Sequence, residues 1–263
     1  MELIVVGCSG SVSGPDSPAS CYLVQAPHQG RTYSLVVDLG PGSLGALYRY
    51  FDDPAQVDAI ALSHLHPDHC LDVCAFYVAS RYSATAPWPR IPLYAPSGAA
   101  ERLARAYEVP PADSDSSDWG GHLVEHFDFH EWPIDEPVGP FDVRTVRVDH
   151  PVPAYAIRIS ERATGRSLVF SGDTGPCQAL VDLATGVDLL LVESAFMDSP
   201  DNPRGVHLSG RQAAEIGTAA GAKEIMLTHI PPWHDPAEVL SEAVAATDTP
   251  VTLAASGARR VLR

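Results

Sequence analysis

The segment Ser63-His64-Leu65-His66-Pro67-Asp68-His69 packs three histidines and an aspartate into six residues. Imidazole nitrogens and carboxylate oxygens are donors that suit Zn²⁺, with Mn²⁺ and Fe²⁺ as further options. The segment follows an apolar run, 57–62, that reads as a strand. In extended backbone His64 and His66 project to the same side, because side chains alternate. The turn into the next helix brings Asp68 and His69 to a neighbouring point. One divalent ion can take the first pair and a second ion the other.

Further donors stand after other strand-like runs. His150 follows 141–147, Asp173 follows Leu168-Val169-Phe170, Glu193 ends Leu189-Leu190-Leu191-Val192, and His229 follows Ile225-Met226-Leu227. Any one of these alone fits an ordinary strand end. Several together fit a scaffold that gathers ligands at one edge. His122, His126 and His130 are a different case. Their four-residue spacing suits a helix face, but the alternation and aromatics of 122–130 favour a strand. On a strand the outer two lie about 26 Å apart, too far for one ion. His28 and His234 read as surface residues, with His234 close enough to His229 to line a cleft.

The elements that must position these donors alternate along the chain. Strands are predicted at 2–6, 21–26, 33–38, 57–62, 141–147, 154–160, 166–171, 188–193 and 223–228. Helices are predicted at 42–51, 70–82, 98–108, 176–184, 209–221 and 235–246. Ser209-Gly-Arg-Gln212 and Asp235-Pro-Ala-Glu238 both fit capping boxes, the second with proline at the first helical position. Hairpins mixed with crossovers indicate an α/β protein whose sheets are covered by helices. The stretch 110–121 reads as a surface loop. No linker divides the chain, so a single domain over 1–263 is expected.

Composition narrows the function. The chain has 263 residues and a formal net charge of −16, with Lys223 its one lysine. Nucleic acid and anionic membrane both need Lys/Arg contacts, so neither is an expected partner. Arg81, Arg90, Arg259, Arg260 and Arg263 read as a solvated face rather than an RNA track. No apolar stretch approaches the ~18 residues of a spanning helix, and Met1–Gly7 lacks the basic start of a signal peptide. Five scattered cysteines without a CxxC pair read as reduced thiols in a cytoplasmic protein.

Taken in order, Val37-Asp38-Leu39-Gly40, His64/His66/Asp68/His69, His150, Ser171-Gly172-Asp173-Thr174 and His229 resemble the metallo-β-lactamase fold superfamily. That resemblance implies a four-layer αββα sandwich with two divalent ions at one edge. It implies that His64, His66 and His150 hold the first ion, that Asp68, His69 and His229 hold the second, and that Asp173 bridges. Asp38 resembles the superfamily's aspartate that orients the metal loop. A β-lactamase itself fits less well, since Cys177 is displaced by four residues from Asp173, where some of those enzymes carry a ligand cysteine.

The phosphodiesterase branch fits best. Gly7-Cys8-Ser9-Gly10-Ser11-Val12, the stretch from His150 to Ile159, and Glu193 with His207-Leu208-Ser209 resemble ribonuclease Z. Bacterial ribonuclease Z inserts a tRNA-grasping arm between the ligand histidine and the bridging aspartate. Here 22 residues separate His150 from Asp173 and read as a plain hairpin. Gly7–Tyr22 and Thr228–Trp233 look more like small actinobacterial members that hydrolyse cyclic nucleotides.

The expected function is therefore hydrolysis of a small phosphodiester, cyclic AMP foremost, by an enzyme holding two divalent ions, zinc first. Asp68, besides holding an ion, would orient or accept the attacking proton. His207 would protonate the leaving 3′-oxygen, with Glu193 fixing its tautomer. Ser11 and Ser20 are weaker candidates for phosphate contact. The rivals are a ribonuclease Z-like activity, a lactone or thioester hydrolase, and a metal-binding protein without turnover. A homodimer is expected from the resemblance alone.

Overall fold

Leu3, Ile4, Val5 and Val6 are all buried, yet they serve two cores. Leu3 and Val5 pack into one, Ile4 and Val6 into another. A strand buried on both faces reads as a continuous apolar run, and this one lies between two layers. The fold comes from a computed structural model that describes residues 1–107 and 121–263.

The first half of the chain contains β1 (Glu2–Gly7), β2 (Cys21–His28), β3 (Arg31–Val37), α1 (Ser43–Leu47) and β4 (Ala59–Ala61). It continues through α2 (Pro67–Cys70), α3 (Asp72–Tyr82), β5 (Ile91–Ala95), α4 (Ala99–Tyr107), α5 (Gly121–Glu125) and β6 (Phe127–Glu131). The second half contains β7 (Phe141–Arg147), β8 (Tyr155–Glu161), β9 (Ser167–Phe170), α6 (Gln178–Leu183) and β10 (Leu189–Glu193). It ends with α7 (Gly210–Ala220), β11 (Ile225–Thr228), α8 (Pro236–Val244), β12 (Val251–Leu253) and β13 (Arg259–Val261).

A seven-stranded sheet runs β13-β1-β2-β3-β4-β5-β6, and a six-stranded sheet runs β12-β11-β10-β9-β8-β7. Alternate residues separate three cores. Ile4, Leu23, Val36 and Ile60 face α1, α3 and α4. Leu3, Val24, Leu35, Leu168 and Leu191 meet between the sheets. Val169, Leu190, Val192 and Ile225 face α6, α7 and α8. The result is the expected αββα order. Within it β3 to β6 and β9 to β12 are parallel, so their carboxyl ends share an edge in each sheet. Ligands gather at such edges in open α/β sheets.

Three strands escape the sequence reading: β5, β12 and β13. β12 and β13 have three residues each, too short for a periodicity to register. The segment 122–130 divides rather than forming one strand. Its first part belongs to α5, and His130 lies in β6, so the three histidines share no single element. The expected surface loop 110–121 lies outside the described residues, except Gly121, which opens α5. At α7 the capping box is complete, with Ser209 and Gln212 bonding reciprocally. At α8 the Asp235 carboxylate instead accepts from Ala237 N, one position earlier than a capping box requires. Arg259 and Arg260 lie in β13, where they pair with Glu2 and Glu224. Among the described residues no helix is long and apolar enough to cross a membrane.

Candidate metal centre

Six backbone segments deliver the polar groups, and five of them arrive from a strand end. β4 runs through Leu62 and Ser63 into His64, His66 and the short helix α2, which carries Asp68 and His69. His150 follows β7, Asp173 follows β9, Glu193 closes β10 and His229 follows β11. His207 comes from the loop before α7.

Two donor sets result. In the first, His64 Nε2 and His150 Nε2 each lie 3.1 Å from His66 Nδ1, and Asp173 Oδ2 lies 3.6 Å from His64 Nε2. In the second, His229 Nε2 lies 3.1 Å from both His69 Nε2 and Asp68 Oδ2. Asp173 Oδ1 lies 3.3 Å from His69 Nε2 and 3.5 Å from His229 Nε2. Within each set all donor atoms lie within 4.8 Å of one another, close enough to share one ion.

The far side of most rings is fixed. Asp38 accepts from Ser63 N at 2.7 Å, from Ser63 Oγ at 2.8 Å and from His69 Nδ1 at 2.6 Å. Ser63 Oγ in turn accepts from His64 Nδ1 at 3.1 Å. His150 Nδ1 donates to the Val206 carbonyl at 2.9 Å. These bonds place the protons of His64, His69 and His150 outward and turn their Nε2 lone pairs inward, as metal ligation requires. Gly40 belongs to the same frame. A Cβ there would meet the Asp68 carbonyl oxygen at 2.0 Å, so only glycine lets the 38–40 turn close on the histidine loop.

Electrostatics agree with that orientation. Burial disfavours the imidazolium and pulls His64, His66 and His150 below the ordinary histidine value. Burial opposes ionisation of Asp68 and Asp173 too, but the surrounding histidines outweigh it and hold both carboxyls well below their usual range. His69 goes the other way. Burial would lower it, but Asp173 and Asp38 together raise it. The second set therefore concentrates negative charge that calls for a cation.

The donor chemistry fits such ions. Asp173 Oδ1 is buried and makes no hydrogen bond, although a lone buried carboxylate oxygen is costly. Inward lone pairs at 3.1 Å repel each other unless a proton or an ion sits between them.

Beside the two sets, the His207 Nδ1 donates to Glu193 Oε1 at 2.8 Å. Glu193 is fully buried and also accepts from the backbone N–H groups of Thr174, Ala195 and Leu208. Burial disfavours the His207 imidazolium, but Glu193 and then Asp173 outweigh it and raise its pKa.

A matching family model, the β-lactamase superfamily domain, covers residues 33–230. The chain belongs to this superfamily. A Mycobacterium tuberculosis protein described as uncharacterized is 45% identical over 256 residues, covering 95% of this chain and 88% of the relative. The probable metallo-hydrolase YhfI of Bacillus subtilis is 27% identical over 98% of both chains, and its crystal structure superposes with a TM-score of 0.81. Escherichia coli ribonuclease BN is 26% identical over 89% of this chain and 90% of its own. The protein is accordingly a metallo-hydrolase, of a fold that generally binds two divalent ions.

The structure thus gathers His64, His66, Asp68, His69, His150, Asp173, His207, Glu193 and His229 at one edge. His234 lines a neighbouring cavity of about 240 Å³ with Cys8, Ser17 and Pro232, behind the N-terminal loop. Sequence reading missed Ser63 as the link between Asp38 and His64, and Val206, which acts through its carbonyl. Ser63 adjoins His64 and was findable, whereas a backbone carbonyl leaves no mark in residue type.

Proposed function

We propose that the protein is a phosphodiesterase that opens 3′,5′-cyclic nucleotides, cyclic AMP foremost, to the 5′-monophosphate. His64, His66, His150 and Asp173 would hold one divalent ion, and Asp68, His69, His229 and Asp173 a second. Zinc suits this imidazole-rich set best. Two such ions, when bound, supply Lewis acidity and neutralise charge that builds on the phosphoryl oxygens. We take residues 1–263 as one hydrolase domain, because β13 returns to pair with β1. Five free cysteines support a cytoplasmic setting.

The observation that carries the reading is His207 anchored on buried Glu193 beside both donor sets. Its Nδ1 is tied to the carboxylate, so its Nε2 is left to hold a proton for the leaving 3′-oxygen. An alkoxide is a poor leaving group and needs that proton. Asp68 is held ionised, which suits it to orient the attacking water by accepting its hydrogen bond. A small substrate is favoured over RNA. β8 and β9 are joined by a short turn, and the net charge of −16 repels a long polyanion far more than a singly charged cyclic nucleotide.

The test is hydrolysis of cyclic AMP, precursor tRNA and a homoserine lactone side by side, with the same zinc or manganese loading. Cyclic AMP turnover is expected. Rapid tRNA processing without it would make this a ribonuclease, and lactone turnover alone would make it a C–O hydrolase.

A further inference from the structure

The loop from Ser9 to Gly14 lies against His229. Gly10 N donates to the Ile230 carbonyl at 3.1 Å, and Ser9 bridges Ile230 in parallel register. A Cβ at Gly10 would meet the His229 carbonyl oxygen at 2.1 Å, so glycine is what permits the approach. Ser11 follows with a φ of 62°, facing His229 with a φ of 57°. Left-handed backbone is costly for residues with a Cβ, and among the described residues just four non-glycine positions adopt it. Two of them meet here. Strain of this kind persists where surrounding structure imposes it, often at functional sites.

The strained turn aims the Ser11 backbone N–H into the centre. It donates to His229 Nε2 at 3.3 Å. The same Nε2 lies 3.1 Å from Asp68 Oδ2, and ligation of an ion through Nε2 would put the imidazole proton on Nδ1, which is buried with no partner. The other tied rings behave differently: His64, His69, His150 and His207 each spend Nδ1 on a neighbouring oxygen. His229 has no such anchor on Nδ1 and meets the Ser11 amide on its inward face.

We infer that the Ser11 N–H is a substrate-binding donor for a phosphoryl oxygen. This rests on the phosphodiesterase reading above, with His229 as a metal ligand. An imidazole nitrogen has one lone pair. Were Nε2 to give it to an ion, the Ser11 N–H would lose its acceptor while still directed toward the second donor set. A phosphoryl oxygen drawn to ions held there would then find that donor free. The loop backbone holds the donor in place, so little ordering is needed when substrate binds. A hydrogen bond from an amide to an anionic oxygen is among the stronger kinds.

The experiment uses protein labelled with ¹⁵N-serine, loaded with zinc and checked for metal by elemental analysis. Inorganic phosphate is the probe. The Ser11 amide resonance, identified by its absence in Ser11→Gly, should move on titration with phosphate. Ser11→Gly keeps both the N–H and the positive φ and should bind phosphate like the parent protein. Ser11→Val cannot hold a φ of 62° easily, and its phosphate affinity should fall on the order of ten- to a hundredfold with metal content unchanged. An unmoved Ser11 resonance in a zinc-loaded protein that hydrolyses phosphodiesters would overturn the inference and leave the phosphodiesterase reading intact. Protein that takes up no zinc would overturn both. The resonance shift in the unmutated chain decides the matter even if Ser11→Val does not fold.

Discussion

The carboxylate of Asp38 lies 2.6 Å from Nδ1 of His69, a residue 31 positions later in the chain. With Ser63 as its second partner, this one aspartate orients a ring in each donor set. Asp38 itself has a φ of 56°, held by Asp38 N bonding the Ala61 carbonyl at 2.8 Å. Replacing Asp38 with alanine should weaken metal retention by about 10- to 100-fold, the usual scale for partners that orient ligands. Competition against a chelator reads this directly. Ser63→Ala should loosen the first set alone, leaving one ion more tightly held than the other. Equal loss of both ions in Ser63→Ala would contradict the relay.

Asp173 turns Oδ2 toward His64 and Oδ1 toward His69 and His229. One side chain thus serves both sets. Asp173→Ala should lower occupancy of both sites, whereas His150→Ala should spare the second. Elemental analysis of the two variants after identical zinc loading distinguishes them. Unchanged metal content in Asp173→Ala would refute the bridging role.

Much of the centre was legible because ligand chemistry restricts residue type. His64, His66, Asp68 and His69 announce themselves by local spacing, and His150, Asp173 and His229 by their places after apolar runs. The layers were legible because strands buried on both faces leave continuous apolar stretches such as Leu189–Val192. Apart from the Ser63 hydroxyl, what the sequence hid acts through backbone: the Val206 carbonyl, the Ser11 amide, the register that returns β13 to β1. Backbone groups are the same for nearly every residue, so position alone gives them a role. The segment around His126 was hard to read for another reason. His122 and His130 belong to different elements, and the short α5 breaks the alternation that suggested one strand.

Asp188 gives a test of acid stability away from the metal centre. Its Oδ1 accepts from Lys223 Nζ at 2.7 Å and Arg166 Nη1 at 3.0 Å, and its Oδ2 from Ser167 N at 2.9 Å. Burial opposes ionisation, but Lys223, the Ser167 amide and Arg166 outweigh it and lower the pKa. A carboxyl with a depressed folded pKa contributes stability that is fully present above its unfolded value, about 3.9, and is lost as pH falls through the folded one. Asp188→Asn should therefore be less stable than the parent near neutrality, with the gap closing in acid. Urea unfolding across a pH series measures the gap. Metal loss in acid affects both proteins alike and cancels. A gap that widens on acidification would reverse the sign and refute the assignment.

His207 separates proton donation from metal holding. Its ring is anchored by Glu193 and its pKa is raised, so at neutral pH it holds a proton more readily than an ordinary histidine. His207→Ala should retain two ions and lower kcat on cyclic AMP by ~10²–10⁴-fold, the usual range for losing a general acid. The loss should be much smaller on bis-p-nitrophenyl phosphate, whose p-nitrophenolate leaves without a proton. Glu193→Gln provides the pH readout. Without the carboxylate the His207 pKa falls, and a general acid works only while protonated. The alkaline limb of kcat should therefore move to lower pH in Glu193→Gln, with the activated ester again little affected. Equal losses on both esters, or an unmoved alkaline limb, would show that His207 and Glu193 shape the site without donating the proton.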